Sequence, residues 1–136
     1  MITGFACGVF DLFHAGHVLM LKECKQHCDY LIVALNRAEN ISDRINPGKQ
    51  NPIYCLEDRK LIMQSCRYVD EVMVYNTEEE LLNILKTKKI DVRFLGDDYK
   101  RKPITGADLK IPIHYTDRSH GLSTSIFRAI ISKKNA

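Results

Sequence analysis

Five short apolar runs, ITGFACG, YLIVAL, EVMVY, DVRFL and IPIHY, are spaced along the chain with amphipathic stretches between them. Each is bounded by turn or charged residues and reads as a strand buried on both faces. The intervening stretches carry the helical period instead. GHVLMLKECKQHC places Val18, Leu21, Cys24 and Cys28 on one side, and LEDRKLIMQSC groups Leu61, Ile62 and Cys66. TEEELLNILKTKK opens with Thr77 and Glu80 in capping-box register, with acids in its first turn and lysines in its last. A final helix is predicted after GLSTS, with Ile126, Phe127, Ile130 and Ile131 as its apolar face. Strand alternating with helix predicts an α/β chain: a doubly wound parallel sheet of about five strands, joined by right-handed crossovers, with helices on both faces.

A chain of 136 residues with 45% hydrophobic content suits one Rossmann-like domain spanning residues 1–136. Only the closing KKNA is expected to be loose. No stretch approaches the roughly 20 apolar residues of a membrane span, and the amino terminus lacks a basic region followed by an apolar one, so a cytoplasmic protein without membrane contact is expected. Five cysteines, an odd number lying in strand-like and helix-like segments, suit reduced and mostly buried thiols. The net charge of +3 is mild and scattered apart from KTKK and YKRK. It is compatible with an anionic small substrate and does not indicate nucleic acid.

The first run leads directly into GVFDLFHAGH, Gly8 to His17. Doubly wound sheets bind ligands outside the carboxyl ends of their strands, where the strand order reverses. Gly8 and Gly16 would let backbone approach a ligand closely, and the N–H groups of the following helix start favour a phosphate. His14 and His17 beside that anion site could donate hydrogen bonds to phosphate oxygens as charge builds.

GVFDLFHAGH resembles the G-x-F-D-x-x-H-x-G-H signature of the nucleotidyltransferase superfamily. EDRKLIMQSCRYVDEV, LGDDY and RSHGLSTS resemble, in order, the corresponding segments of bacterial glycerol-3-phosphate cytidylyltransferases. The resemblance implies transfer of CMP from CTP to a small phosphorylated acceptor with release of pyrophosphate, magnesium as cofactor, and a homodimer. It implies a nucleotide site made by Gly8, Val9, Phe10, Asp11, Gly16 and Asp98 with Ser119, Gly121, Leu122, Ser123, Thr124 and Ser125. His14, His17, Lys49 and Arg118 would act on the phosphates, and Arg44, Lys49 and Arg59 would face the acceptor. The loop carrying Lys49 would close over the phosphates. Asp11 could hold magnesium through water or anchor its loop. Arg67, Asp70 and Asp97 match family positions without a settled role; Arg67 and Asp70 would equally pair with each other or cap a helix.

Two segments depart from that pattern. NRAENISDRINPGKQNPIYC is longer than its counterpart and carries fewer lysines, and YKRKPITGADLKIP contains a TGAD that resembles sugar-phosphate relatives. The latter would be an acceptor loop or an exposed connection. Arg118 and the GDD turn resemble cytidylyl rather than heptose-phosphate adenylyl relatives, which implies cytosine. Other chemistries have less behind them. A metal site on His14 and His17, or on Cys24, His27 and Cys28, lacks a CxxC partner. Cys7 lies within a strand with nothing to stabilise a thiolate. A nucleotide-binding sensor would share the fold without the reaction.

Overall fold

The computed structural model describes residues 1–38 and 51–134. Among them, β1 (Thr3–Gly8), β2 (Tyr30–Asn36), β3 (Glu71–Tyr75), β4 (Val92–Gly96) and β5 (Ile113–Thr116) form one sheet in the order β3-β2-β1-β4-β5. Every neighbouring pair is parallel. The helices are α1 (Ala15–Gln26), α2 (Leu56–Gln64), α3 (Glu78–Thr87) and α4 (Thr124–Lys134). The expected doubly wound α/β fold is therefore present. Strand order reverses between β1 and β4.

Alternation along the strands divides the core in two. On one face Ala6, Val33 and Phe94 pack with Leu21 and Cys24 of α1 and Met63 of α2. On the other, Phe5, Ile32 and Ala34 pack with Leu81, Ile84 and Leu85 of α3. α3 is capped as its sequence predicts: the Glu80 amide donates to Thr77 Oγ1 at 3.1 Å. Glu80 Oε2 accepts from the amide of Asn76, the residue before the N-cap, at 2.6 Å.

Two predicted helix faces are turned. Leu61 of α2 is 65% exposed, whereas Arg59 and Met63, one turn apart, are buried. Ile126, Ile130 and Ile131 of α4 are each more than 40% exposed. α4 is oriented instead by Phe127, whose ring lies 4.9 Å from that of His14, and by Arg128, which reaches Asp11. Apolar period alone does not reveal that a polar residue holds the helix by its other side. Cys55 is also an exception to the buried thiols, standing exposed at the N-cap of α2.

No helix crosses β4 to β5. That connection runs through two short 3-10 turns, Asp97–Tyr99 and Ala107–Leu109. Among the described residues no helix is long and apolar enough to cross a membrane.

Candidate active site

The loop from β1 to α1 is built around Asp11. Phe10 and Leu12 on either side of it have left-handed φ values of 54° and 49°, a conformation that costs a side-chain-bearing residue about 1–2 kcal/mol. Asp11 holds them there. Its Oδ2 accepts from the Ile53 amide at 2.7 Å and from Arg128 Nη2 at 2.6 Å, and its Oδ1 accepts from the Tyr54 amide at 2.9 Å. Thr124 Oγ1 donates to the Asp11 carbonyl at 3.0 Å. Burial pushes this carboxyl upward, but the amides of Ile53 and Tyr54 and the Arg128 guanidinium outweigh it and hold it below the usual carboxylate range.

His14 is the N-cap of α1, and the two histidines cap the helix reciprocally. The Gly16 amide donates to His14 Nδ1 at 3.0 Å, and the His14 amide donates to His17 Nδ1 at 3.1 Å. A nitrogen that accepts carries no proton. Each neutral ring therefore bears its hydrogen on Nε2, which in His14 faces Thr124 Oγ1 at 3.4 Å. Glycine is required at position 16: a Cβ there would stand 2.8 Å from His14 Cε1 and 3.0 Å from Leu122 Cβ.

The rings are fixed by stacking. His14 and His17 lie 3.9 Å apart between centroids, and Phe13 and Phe10 sit 5.3 Å and 5.4 Å from His17. Burial, then the neighbouring His14, lowers His17 to about 4, against the opposing pull of Asp11. His14 is lowered too, by burial and by the charges of His120 and Arg118. At neutral pH both rings are uncharged donors.

The opposite wall comes from the loop after β5. Glu23 of α1 sets its position, with Oε2 2.6 Å from His114 Nε2 and Oε1 accepting from the Asp117 amide at 2.9 Å. His120 repeats the pattern of His14: its Nδ1 accepts from the amide two residues on, Leu122, at 2.9 Å. Ser123 Oγ accepts from the Ile126 amide at the start of α4. Thr124 Oγ1 lies 3.4 Å from His14 Nε2 and joins the two walls. The cleft between them has a volume of about 830 Å³. Helix starts on both sides, uncharged imidazole donors and the Arg118 guanidinium give it the kind of groups that phosphate oxygens accept from.

Residues 5–130 match the family described as cytidylyltransferase-like. The chain belongs to that family. It is 38% identical over 119 residues to glycerol-3-phosphate cytidylyltransferase of Bacillus subtilis, covering 87% of this chain and 88% of that protein. It is also 38% identical over 107 residues to the bifunctional protein HldE of Gluconacetobacter diazotrophicus, covering 79% of this chain. The chain spans only 22% of that protein's length. Among solved structures, a lipopolysaccharide core biosynthesis protein from Thermoplasma volcanium matches with a TM-score of 0.64 and 27% identity, over 85% of this chain and 93% of that one.

Of the residues expected in the site, His14, His17, Arg118, Gly8, Val9, Phe10, Gly16, Leu122, Ser123, Thr124 and Ser125 line the cleft. Arg44 and Lys49 lie outside the described residues. Arg59 corrects an expectation. It is 2% exposed, and its guanidinium donates to the carbonyls of Tyr54, Val9, Asn36 and Arg37, so it braces loops rather than facing an acceptor. Asp11 is 4% exposed with both carboxylate oxygens engaged, which makes it the loop anchor and not a metal ligand. Ser119 turns its hydroxyl to Asp117 at 2.8 Å. Gly121, with φ of 70°, makes the turn before Leu122. Asp98 stands 3.5 Å from Arg118 at the rim, and the neighbouring Asp97 starts the first 3-10 turn.

Asp70 pairs with Lys25 at 2.6 Å and accepts from the Leu31 amide, and Arg67 lies over Tyr68; neither pairs with the other. Among the described residues no group of three or more His, Cys, Asp or Glu could hold a metal ion. His120 was missed by sequence reasoning, although its spacing from Leu122 repeats that of His14 from Gly16.

The depressed His17 value gives a pH test. An unfolded histidine takes up a proton near 6.5, whereas folded His17 resists until about 4. Its contribution to stability is therefore complete above 6.5 and is lost as pH falls towards 4. The melting-temperature gap between the parent and His17→Asn should narrow across that window. Imidazole NMR should place the His17 midpoint near 4, and a midpoint at 6.5 would show a solvent-charged ring.

Proposed function

We propose that this chain is a cytidylyltransferase that moves CMP from CTP to a small phosphorylated acceptor. One observation carries the reading: two stacked, neutral imidazoles whose Nδ1 atoms are both occupied by backbone amides, leaving Nε2–H donors in a cleft between two helix starts. Such donors match an oxygen that becomes more negative during reaction and need no proton transfer to act. The likeness to the Bacillus glycerol-3-phosphate cytidylyltransferase, over nearly the whole length of both chains, supports the same reaction class.

The acceptor phosphate oxygen attacks the α-phosphorus of CTP, the new O–P bond forming as the bond to the bridging oxygen of pyrophosphate breaks. The chain positions the phosphates and stabilises charge; no covalent intermediate is required. Cys7, whose thiol is pushed up by burial, is no nucleophile. Magnesium would be brought in with the triphosphate and would supply counter-charge to its oxygens. A homodimer belongs to the same reading, and the isoleucine face left uncovered on α4 supports it.

Pyrophosphate release separates transfer from nucleotide sensing. CTP should be used at least about tenfold more efficiently than ATP, a difference of about 1.4 kcal/mol in transition-state binding. Equal or better use of ATP would reject the cytidylyl assignment and favour adenylyl transfer.

Replacing His14 or His17 with alanine should lower kcat by roughly 10², with a smaller change in CTP binding, as for loss of a preorganised donor. Folded variants with normal turnover would make both rings structural. Labelled pyrophosphate should not exchange into CTP when acceptor is rigorously absent. Robust exchange would mean that a histidine carries CMP covalently.

A further inference from the structure

The loop after β5 carries a third imidazole that the histidine pair of α1 does not account for. His120 lines the cleft with Arg118 and Leu122, and it is close enough to His14 for its charge to act on that ring. The Leu122 amide donates to its Nδ1 at 2.9 Å. That bond requires an unprotonated Nδ1, so the neutral ring carries its hydrogen on Nε2. Among the described residues His120 Nε2 has no hydrogen-bond partner, and no aromatic ring stacks on it. Buried side-chain nitrogens of the described residues all have partners, so this one stands at the surface.

The backbone is shaped to hold the ring in this way. Ser119 donates its amide and its hydroxyl to the Asp117 carboxylate, at 2.9 Å and 2.8 Å. The Gly121 amide closes the turn onto the Arg118 carbonyl at 3.1 Å. With φ of 70°, Gly121 takes the left-handed conformation that brings the Leu122 amide back to the His120 ring. The amide two residues on holds His14 in the same manner. Each wall of the cleft therefore presents an imidazole whose Nδ1 is engaged by backbone.

The neighbouring charges define what the outward donor would meet. Glu23 and Asp117 share a hollow with His120 on its other side, but both carboxylates are engaged, Glu23 by His114 and the Asp117 amide and Asp117 by Ser119. Asp98 at the rim is turned to Arg118. The companions of His120 on its own wall, the Arg118 guanidinium and the amides at the start of α4, are donors as well. Donors gathered this way suit phosphate oxygens, which only accept, better than the edge of a cytosine, which also donates.

We propose that His120 is a further catalytic residue: its Nε2–H donates to a phosphate oxygen of the triphosphate, so that imidazoles grip the polyanion from both walls of the cleft. The proposal deepens the transfer reading given above, on which its place in turnover rests.

Two variants separate donation from support of the loop. His120→Asn keeps an acceptor near the position of Nδ1 for the Leu122 amide and loses the outward donor. His120→Gln keeps a donor at the reach of Nε2 and gives up that acceptor. Titration calorimetry with magnesium present should show CTP and inorganic tripolyphosphate both bound about tenfold more weakly by His120→Asn, with affinity rescued to within threefold of the parent in His120→Gln. The kcat/KM for CTP should fall in the same order. The reverse order, an equal loss in both variants, or no loss in either would overturn the proposal and leave His120 a loop support. A loss confined to CTP, or a parent that bound CTP and not tripolyphosphate, would overturn it by placing the ring against base or ribose. Binding needs no turnover: a parent that bound both ligands yet released no pyrophosphate from CTP with any phosphorylated acceptor would remove the transfer reaction alone, and the order of the two variants would still decide the role of His120.

Discussion

Everything at the mouth of this cleft hangs on the Asp11 carboxylate. It ties the β1–α1 loop to the amides leading into α2 and to Arg128 of α4, three pieces far apart in sequence. Those bonds hold two left-handed residues, Phe10 and Leu12, that would otherwise relax at about 1–2 kcal/mol each. With the loop set, His14 falls at the N-cap of α1 and Thr124 reaches back to the Asp11 carbonyl. The spacing of the two walls is thereby set around one buried carboxylate and its neighbouring carbonyl.

Stacking decides how the histidines can act. Two protonated imidazoles 3.9 Å apart would repel by about 4 kcal/mol even at an effective dielectric of 20. Burial adds to that penalty, so the rings serve as neutral donors. Among the described residues, positive potential in the cleft comes instead from the helix starts of α1 and α4 and from Arg118 at the rim. Directional bonds and diffuse positive charge are thus supplied by different groups. That separation suits a reaction whose transition state spreads charge over several oxygens.

The strands were legible because each is a short apolar run buried on both faces, and the cap of α3 because Thr77 and Glu80 are a local signal. The placement of His14 and His17 followed for the same reason, since strand end, glycine and helix start are contiguous. Legibility failed where a polar side chain did the packing. Arg59 was expected to face the acceptor and is instead buried among four carbonyls. The isoleucines of α4 read as a core face, but Arg128 and Phe127 turn the helix the other way. Arg93, inside an apolar run, gave no local hint that it would floor a cleft. Its partner Thr105 lies twelve residues on, across a connection without a helix.

The sheet itself divides the labour of the site. Because strand order reverses between β1 and β4, the crevice at their carboxyl ends is open to both faces. α1 and α4 close it on one side with amide and imidazole donors, and α3 with the 103–105 segment closes it on the other with Glu78 and Arg93. One crevice is thereby lined by two chemically different walls, backbone amides and imidazoles on the first face and a carboxylate with a guanidinium on the second.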